Sequence, residues 1–485
     1  MRIHLAAAAL AFAVTAAPAA AAPVLEVRSD RTVVRDDPYL PPRSESDLPP
    51  PAVHSPARAR SAARARTAAR LGVRKSLRRA FEAGEITAEE RREWRRAYNR
   101  ALRTRSRLSG PRRIQLSSVI ETLKTISRRE QLTASRMPAL FLQLERNTQY
   151  WPGRPYPSSG QRVSFAGSRM VFQYYPGHGL QIQPLANWGK ANALWRAGRA
   201  EQLRELVEEL VAIASRRGRF TTWEYWFEFG GGSPPWMSAM AHGTAMQALS
   251  RASELLGDRS YRRVARRGVR AFSTRAPVGV RTRGLGGGNH YLIYSFSRGL
   301  RVLNAFAQSL SGLHDYATIS GHGRALRLFE KGDTSLRAEL PSYDTGAWTL
   351  YSLAGAEATF EYHELATDFL ANLCEKLMTE PHCGTAARFE AYQTESPRLE
   401  LLTTELAEDN LQYVRFTLSK RSTVRLTISR GESVVYTASA VASYGTRAFA
   451  WTPGAAGDYV VTLSAESFNG TRGSTSGTIT VRPDA

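Results

Sequence analysis

The sequence predicts a multidomain, mainly α chain. An α/α toroid, an incomplete barrel of helical hairpins, is entered through a short β-hairpin and followed by a C-terminal all-β, immunoglobulin-like sandwich. Three observations lead there. Between residues 182 and 392, helical segments follow one another, separated by loops rich in glycine, proline and aromatic residues. After Pro397 the apolar period switches to strict alternation. Ahead of both, "GQRVSFAGSRMVFQYYPGHGLQI" (160–182) alternates and carries glycine and proline turn signals.

Taken in order, residues 1–22 join a basic start at Arg2 to an alanine-rich apolar run that ends in Ala-x-Ala before Pro23. That is the pattern of a cleaved signal peptide, so a secreted or extracytoplasmic protein is expected. No later run approaches the ~20 apolar residues of a transmembrane segment. Residues 23–70, with "DDPYLPPRSESDLPPPAV", read as a disordered Pro/Ala/Arg-rich linker. Residues 71–147 read as a basic helical arm packed on the main domain. Leu77, Phe81, Trp94, Tyr98 and Leu102 fall at near-helical spacing, and Thr87 with Glu90 forms a capping box for its second helix. "QLSSVIETLKTISRR" supplies a third helix. The toroid domain spans 148–396, with helices expected over 182–197, 200–216, 235–256, 258–273, 299–316, 321–339, 362–378 and 384–392. The sandwich spans 397–485 with about seven strands.

The net charge is +23, and 19 lysines and arginines against 5 glutamates lie between Arg58 and Arg113. Such an excess implies an anionic partner, or else a solvated charged surface. Export disfavours nucleic acid and leaves an acidic polysaccharide or anionic lipid. Cys374 and Cys383, the two cysteines of the chain, lie nine positions apart and are expected to pair as a disulfide outside the cytoplasm. A metal site built on them with His382 and His363 lacks ligand spacing. A structural divalent ion such as calcium is not indicated, and a homodimer is compatible with the sequence.

Several catalytic signatures are missing: no G-x-S-x-G elbow, no H-E-x-x-H and no P-loop lysine, while "GLGGG" (284–288) sits between helices and not after a strand. Glu224, Glu228, Asp344 and Glu361 leave a carboxylate pair for glycoside hydrolysis open. What recurs in the loops is tyrosine: Tyr174, Tyr175, Tyr225, Tyr291, Tyr294, Tyr343, Tyr351 and Tyr362. A phenol of pKa ~10 acts as a base only where positive charge stabilises the phenolate. The plainer use of such residues is to stack on sugar rings and bond to sugar hydroxyls.

"PPWMSAMAHGTAMQALSRA" (234–252), "LNAFAQSLSGLHD" (303–315), "LPSYDTGAWTLY" (340–351) and "EYHELATDFL" (361–370) resemble, in that order, the C-terminal domain of D-glucuronyl C5-epimerases. The resemblance implies inversion of C5 in uronic acid units, glucuronate to iduronate, within an acidic polysaccharide such as a heparan sulfate-like glycosaminoglycan, without an organic cofactor. It nominates Tyr294, Tyr351 and Tyr362 as acid/base residues. It further implies substrate-binding roles for Tyr291, Tyr343, Asp344, Asn304, Arg298, His363 and Trp236. Three positions depart from the family in animals: Ile293 replaces a glutamate, Ala354 an arginine and His242 a glutamine. Arg298, His290, Arg301 or His363 is then left to supply the cation. The same toroid also accommodates a polysaccharide lyase or hydrolase, and the basic segment with the sandwich fits a non-catalytic cell-wall polyanion binder.

Overall fold

The computed structural model describes residues 22–41 and 72–483. Strands β1 (Ala22–Val27) and β2 (Thr32–Asp37) lead the described chain. They are followed by helices α1 (Val73–Glu82), α2 (Ala88–Arg107) and α3 (Gly110–Arg128). Thr87 starts α2 as the sequence indicates: its hydroxyl accepts the Glu90 N–H at 3.1 Å, and the Glu90 carboxylate accepts the Thr87 N–H at 2.7 Å. A further helix, α4 (Met137–Tyr150), goes beyond the sequence reading. Pro138 sits in its first turn, where the missing N–H would have had no helical partner. Leu116, Ile120, Leu140 and Leu144 bury in the same continuous core as Trp188, Leu249 and Leu310 farther along. The basic segment is thus packed on the main domain, as its pattern suggests, and shares one core with it.

Strands β3 (Arg162–Phe165), β4 (Val171–Tyr175) and β5 (Gly179–Ile182) form the expected antiparallel unit, one strand longer than a hairpin. It is extended to the order β2-β1-β3-β4-β5, with β1 parallel to β3. This corrects the linker reading for residues 23–41. Val24 and Val27 are buried against the sheet, and Asp37 pairs with the buried Lys190 at 2.8 Å. The alternation there is only a few residues long and lies beside proline- and arginine-rich sequence, which masks it. The expected signal peptide, up to residue 21, and the rest of the expected linker, 42–71, lie outside the described residues.

Four helical hairpins follow: α5 (Pro184–Arg196) with α6 (Ala200–Ala212), α7 (Ala239–Leu255) with α8 (Arg259–Gly268), α9 (Leu303–Ser320) with α10 (Gly323–Glu339), and α11 (Phe360–Leu377) with α12 (His382–Tyr392). Small β pairs, β6 (Ser215–Arg217) with β7 (Phe220–Thr222) and β8 (Arg281–Arg283) with β9 (Asn289–Tyr291), brace the loops. Helices α5, α7, α9 and α11 pack in that order as an inner layer, each backed by its hairpin partner. This is the two-layer arc of an α/α toroid. Where α7 crosses α9, a Cβ on Gly312 would lie 2.1 Å from the Gly243 carbonyl oxygen, so only glycine allows this backbone-to-backbone approach. Cys374 and Cys383 are joined, Cα to Cα 4.8 Å, and tie α11 to α12.

The C-terminal region is a two-sheet β-sandwich. One sheet has the order β10 (Leu399–Leu401), β12 (Gln412–Leu418), β15 (Gly445–Trp451). The other runs β11 (Glu405–Ala407), β17 (Arg472–Arg482), β16 (Gly457–Ser467), β13 (Ser422–Arg430), β14 (Ser433–Ala442). Val414, Phe416, Leu426, Ile428, Val461, Leu463 and Ile479 fill its own core. It is docked on the last hairpin through buried polar contacts. Glu357 accepts the N–H groups of Arg421 at 2.7 Å and Tyr444 at 3.0 Å, and Lys420 Nζ donates to the carbonyls of Tyr392 and Glu395 at 2.7 and 2.6 Å. Among the described residues no helix is long and apolar enough to cross a membrane.

Candidate active site

Because hairpins alternate in direction, the four inner helices run parallel and their N-termini open at one end. A tyrosine-bearing segment leads into each: Tyr175 before α5, Tyr225 before α7, Tyr294 before α9, Tyr351 before α11, with Tyr362 in the first turn of α11 itself. Backbone bonds stitch these segments together. The Ala239 N–H reaches the Leu292 carbonyl at 3.0 Å, the Ser295 N–H that of Met237 at 2.9 Å, and the Leu303 N–H that of Tyr351 at 3.4 Å. Beneath them, Leu185, Met240, Ile293, Val302 and Leu365, one or two from each inner-helix entry, form an apolar floor under Tyr351.

The three nominated acid/base tyrosines meet on this floor. The rings of Tyr351 and Tyr362 lie 4.8 Å apart. Burial, and then the proximity of the Tyr351, Tyr362, Tyr175 and Tyr225 phenols, raises the Tyr294 phenol well above its ordinary pKa. All three remain half-buried, with part of each side chain open to solvent. Tyr294 is backed by Phe296 in a stacked pair at 5.5 Å and by the edge of Trp236 at 5.6 Å, and Trp236 stacks on Tyr225 at 4.1 Å. Gln183, not anticipated from sequence, organises the far wall. Its Nε2 donates to Tyr175 Oη at 3.2 Å, while its Oε1 accepts from Tyr225 Oη at 3.3 Å and caps α5 through the Leu185 N–H at 2.9 Å. A glutamine directly before a helix-starting proline was the available signal.

Most of the nominated binding residues lie behind this wall. Tyr291 is fully buried and donates to the Leu328 carbonyl at 2.6 Å. Tyr343 is fully buried and donates to the Arg301 carbonyl at 3.1 Å. Asp344 accepts the Gly346 N–H at 2.8 Å and the Tyr392 hydroxyl at 3.0 Å, so the "YDTG" turn is a structural knot tied to α12. His363 stacks on Trp348 at 3.7 Å, bonds Thr349 Oγ1 and the Phe389 carbonyl, and is pushed down to about 4 by burial, hence neutral. Trp236 is buried as support for Tyr294. Asn304 is buried in the first turn of α9, next to the Leu303 N–H that holds Tyr351.

The cations nominated to replace the missing arginine are engaged elsewhere. Arg298 donates to the Ala276 carbonyl at 2.6 Å. Arg301 is held by the Arg283 carbonyl at 2.9 Å and by Glu339 at 3.5 Å, and His290 is fully buried against Glu339 at 2.7 Å. Glu224 is likewise removed from a hydrolytic role, being buried between Arg136 and Arg217 at 2.7 Å each. The N-termini of α5, α7, α9 and α11 open at this mouth, and a helix N-terminus carries roughly half a positive charge. The arrangement brings three phenols together beside the N-terminal ends of the inner helices.

An open α/α arc with its site at the N-terminal end of the inner helices is the class of domain seen. Residues 217–389 match the family model of the D-glucuronyl C5-epimerase C-terminus. D-glucuronyl C5-epimerase of Caenorhabditis elegans is 33% identical over 178 residues, which is 33% of this chain and 29% of that protein. An uncharacterized protein of Methanocaldococcus jannaschii is 27% identical over 164 residues, 33% of this chain and 53% of that protein. The chain thus spans about half or less of the curated relatives it matches. Among solved structures, an unsaturated glucuronyl hydrolase from Bacillus sp. GL1 (TM-score 0.31, 14% identity, 43% of this chain and 60% of that one) and the GH76 α-mannanase BT2949 of Bacteroides thetaiotaomicron (TM-score 0.35, 12% identity, 47% and 65%) overlap the helices. Overlaps this small carry nothing about the reaction.

Proposed function

We propose that the protein is an exported C5-epimerase that inverts uronic acid units within an acidic polysaccharide, using tyrosines as acid and base. The observation that carries this reading is the convergence of Tyr294, Tyr351 and Tyr362 from separate segments on one open, half-buried wall. The C5 hydrogen of a glucuronate unit is weakly acidic because it neighbours an already negative carboxylate. Its removal spreads a second negative charge over that group, so the site must present positive potential before the proton leaves. The helix N-termini supply it. Inversion then needs a proton taken from one ring face and returned to the other. Tyr294, which burial and the neighbouring phenols keep protonated, takes the role of the group that returns a proton. Tyr351 takes the opposite face, supported by Tyr362, whose place in the first turn of α11 favours negative charge. The conjugate roles exchange in the reverse direction.

Incubation with heparosan in deuterium oxide tests this. Deuterium is expected at C5, together with iduronate signals in the NMR spectrum. Absence of C5 exchange on every uronate polymer tried would sink the reading, and absorbance from an unsaturated uronide would replace inversion with elimination.

A further inference from the structure

A cleft of about 1200 Å³ opens between the first turn of α11 and the outer face of the five-stranded sheet. Thr359, Phe360 and Glu361 form its helical wall, and the next residue, Tyr362, belongs to the tyrosine cluster. The cleft and the tyrosine wall are thus separated by one helix, a width of ~10 Å. The strand register sets the floor. On β13, Val424 and Leu426 enter the sandwich core, so Arg425 points outward. Its neighbours across the ladder are Ser439 on β14 and Ser464 on β16, and Ser464 in turn faces Ser474 on β17. Arg425 makes no ion pair or side-chain hydrogen bond among the described residues, whereas Arg472, on the same floor, is taken up by Glu466 at 2.9 Å.

From this row of groups we infer that the junction between helical arc and sandwich is a second saccharide site, which receives the uronate polymer beyond the unit held at the tyrosines. The inference rests on the polysaccharide reading above. A forked guanidinium with serine hydroxyls on both sides is a donor set for one carboxylate and its neighbouring hydroxyls. Phe468, 41% exposed and held edge-on against Trp348 at 5.1 Å, offers an apolar face for a sugar ring. Thr359, at the N-cap of α11, keeps a hydroxyl with no partner among the described residues. The Glu357 and Lys420 contacts lock sandwich to helices, so the two walls hold a fixed spacing. Glu361 and Glu466 put carboxylates in the same cleft beside Arg421, Arg425 and Arg472, so its positive charge is interrupted and not continuous. The fit is to a strand whose acidic units alternate with neutral ones.

The test uses the full chain with heparosan, in which acidic and neutral units alternate, its hexasaccharide, and polygalacturonate, in which every unit is acidic. In affinity electrophoresis Arg425→Glu is expected to weaken retention by long heparosan about tenfold, equivalent to about 1.4 kcal/mol. Arg425→Gln should weaken it less, and polygalacturonate should retain the wild type less than heparosan does. Arg425 is exposed, so an unchanged melting midpoint is expected to accompany the loss. Wild-type retention that is absent, or unaffected by either Arg425 variant, overturns the cleft. If no C5 exchange occurs yet retention depends on Arg425, the epimerase reading falls and the cleft stands. If exchange occurs but Arg425→Glu leaves KM the same for long and short chains, the cleft alone falls.

Discussion

Below their mouths, α7 and α9 approach until backbone meets backbone at Gly243 and Gly312, whereas at their N-terminal ends the same helices part around a group of half-buried phenols. The first region tolerates nothing larger than hydrogen, and the second leaves phenol surface open to solvent. The difference assigns the two tasks of the domain to different depths of the same helices. Tight packing below fixes where each loop begins, and the loops need then carry only side chains that do chemistry. Buried nominees such as Tyr291 and Tyr343 belong to the lower region by their contacts, although they look like site residues in sequence.

The largest effect should come from breaking the upper region. Tyr351→Phe and Tyr294→Phe are each expected to slow epimerisation by about 10²–10⁴-fold, the usual weight of a positioned acid or base, with little change in unfolding midpoint. Solvent exchange separates their roles: one variant should still wash deuterium into glucuronate, the other only into iduronate. Loss of both exchanges to the same degree in both variants would remove the two-face assignment. The next effect comes from the lower region. Gly312→Ala places a methyl group against the Gly243 carbonyl and should destabilise the fold by about 1–3 kcal/mol or more. Denaturant unfolding measures it, and activity per folded molecule should change little. A variant as stable as wild type would mean that the crossing yields easily.

How much of this was legible in the sequence follows the same division. Helices with a long apolar period, the disulfide and the alternating strands of the sandwich could be read directly, because each signal is local. The three tyrosines were legible only through a resemblance, since nothing local separates Tyr294 from Tyr291 three residues earlier. One faces the mouth and the other bonds the Leu328 carbonyl because β9 ends between them. Strands β1 and β2 escape a local reading because their alternation is short and the sheet that β1 joins, through β3, lies over a hundred residues away. The nominated cations share one trait: Arg298, Arg301 and His290 find carbonyls or a carboxylate to bind within the fold, and the helix ends proposed as a source of positive charge have no residue signature.

The smallest effect sharpens the comparison through pH. His242 lies in the lower region, with Nε2 on the Gly268 carbonyl at 2.9 Å, and His363 backs the wall of the upper one through Phe389 and Thr349. Burial pushes both down to about 4, whereas in the unfolded chain each takes up its proton near ~6.5. The unfolded state therefore binds more protons between these values, and stability, complete above about 6.5, falls as pH drops toward 4. At pH 5.5 each histidine should have cost about 1 kcal/mol. His242→Gln and His363→Gln should each flatten part of that slope in urea unfolding. Only His363→Gln should also flatten the acid limb of the activity profile, because protonating His363 loosens the start of α11 that carries Tyr362, whereas His242 touches no tyrosine of the mouth. Equal effects of the two variants on that limb would mean that the platform and the wall unfold as one unit, and the division between depths would then describe packing without separating function.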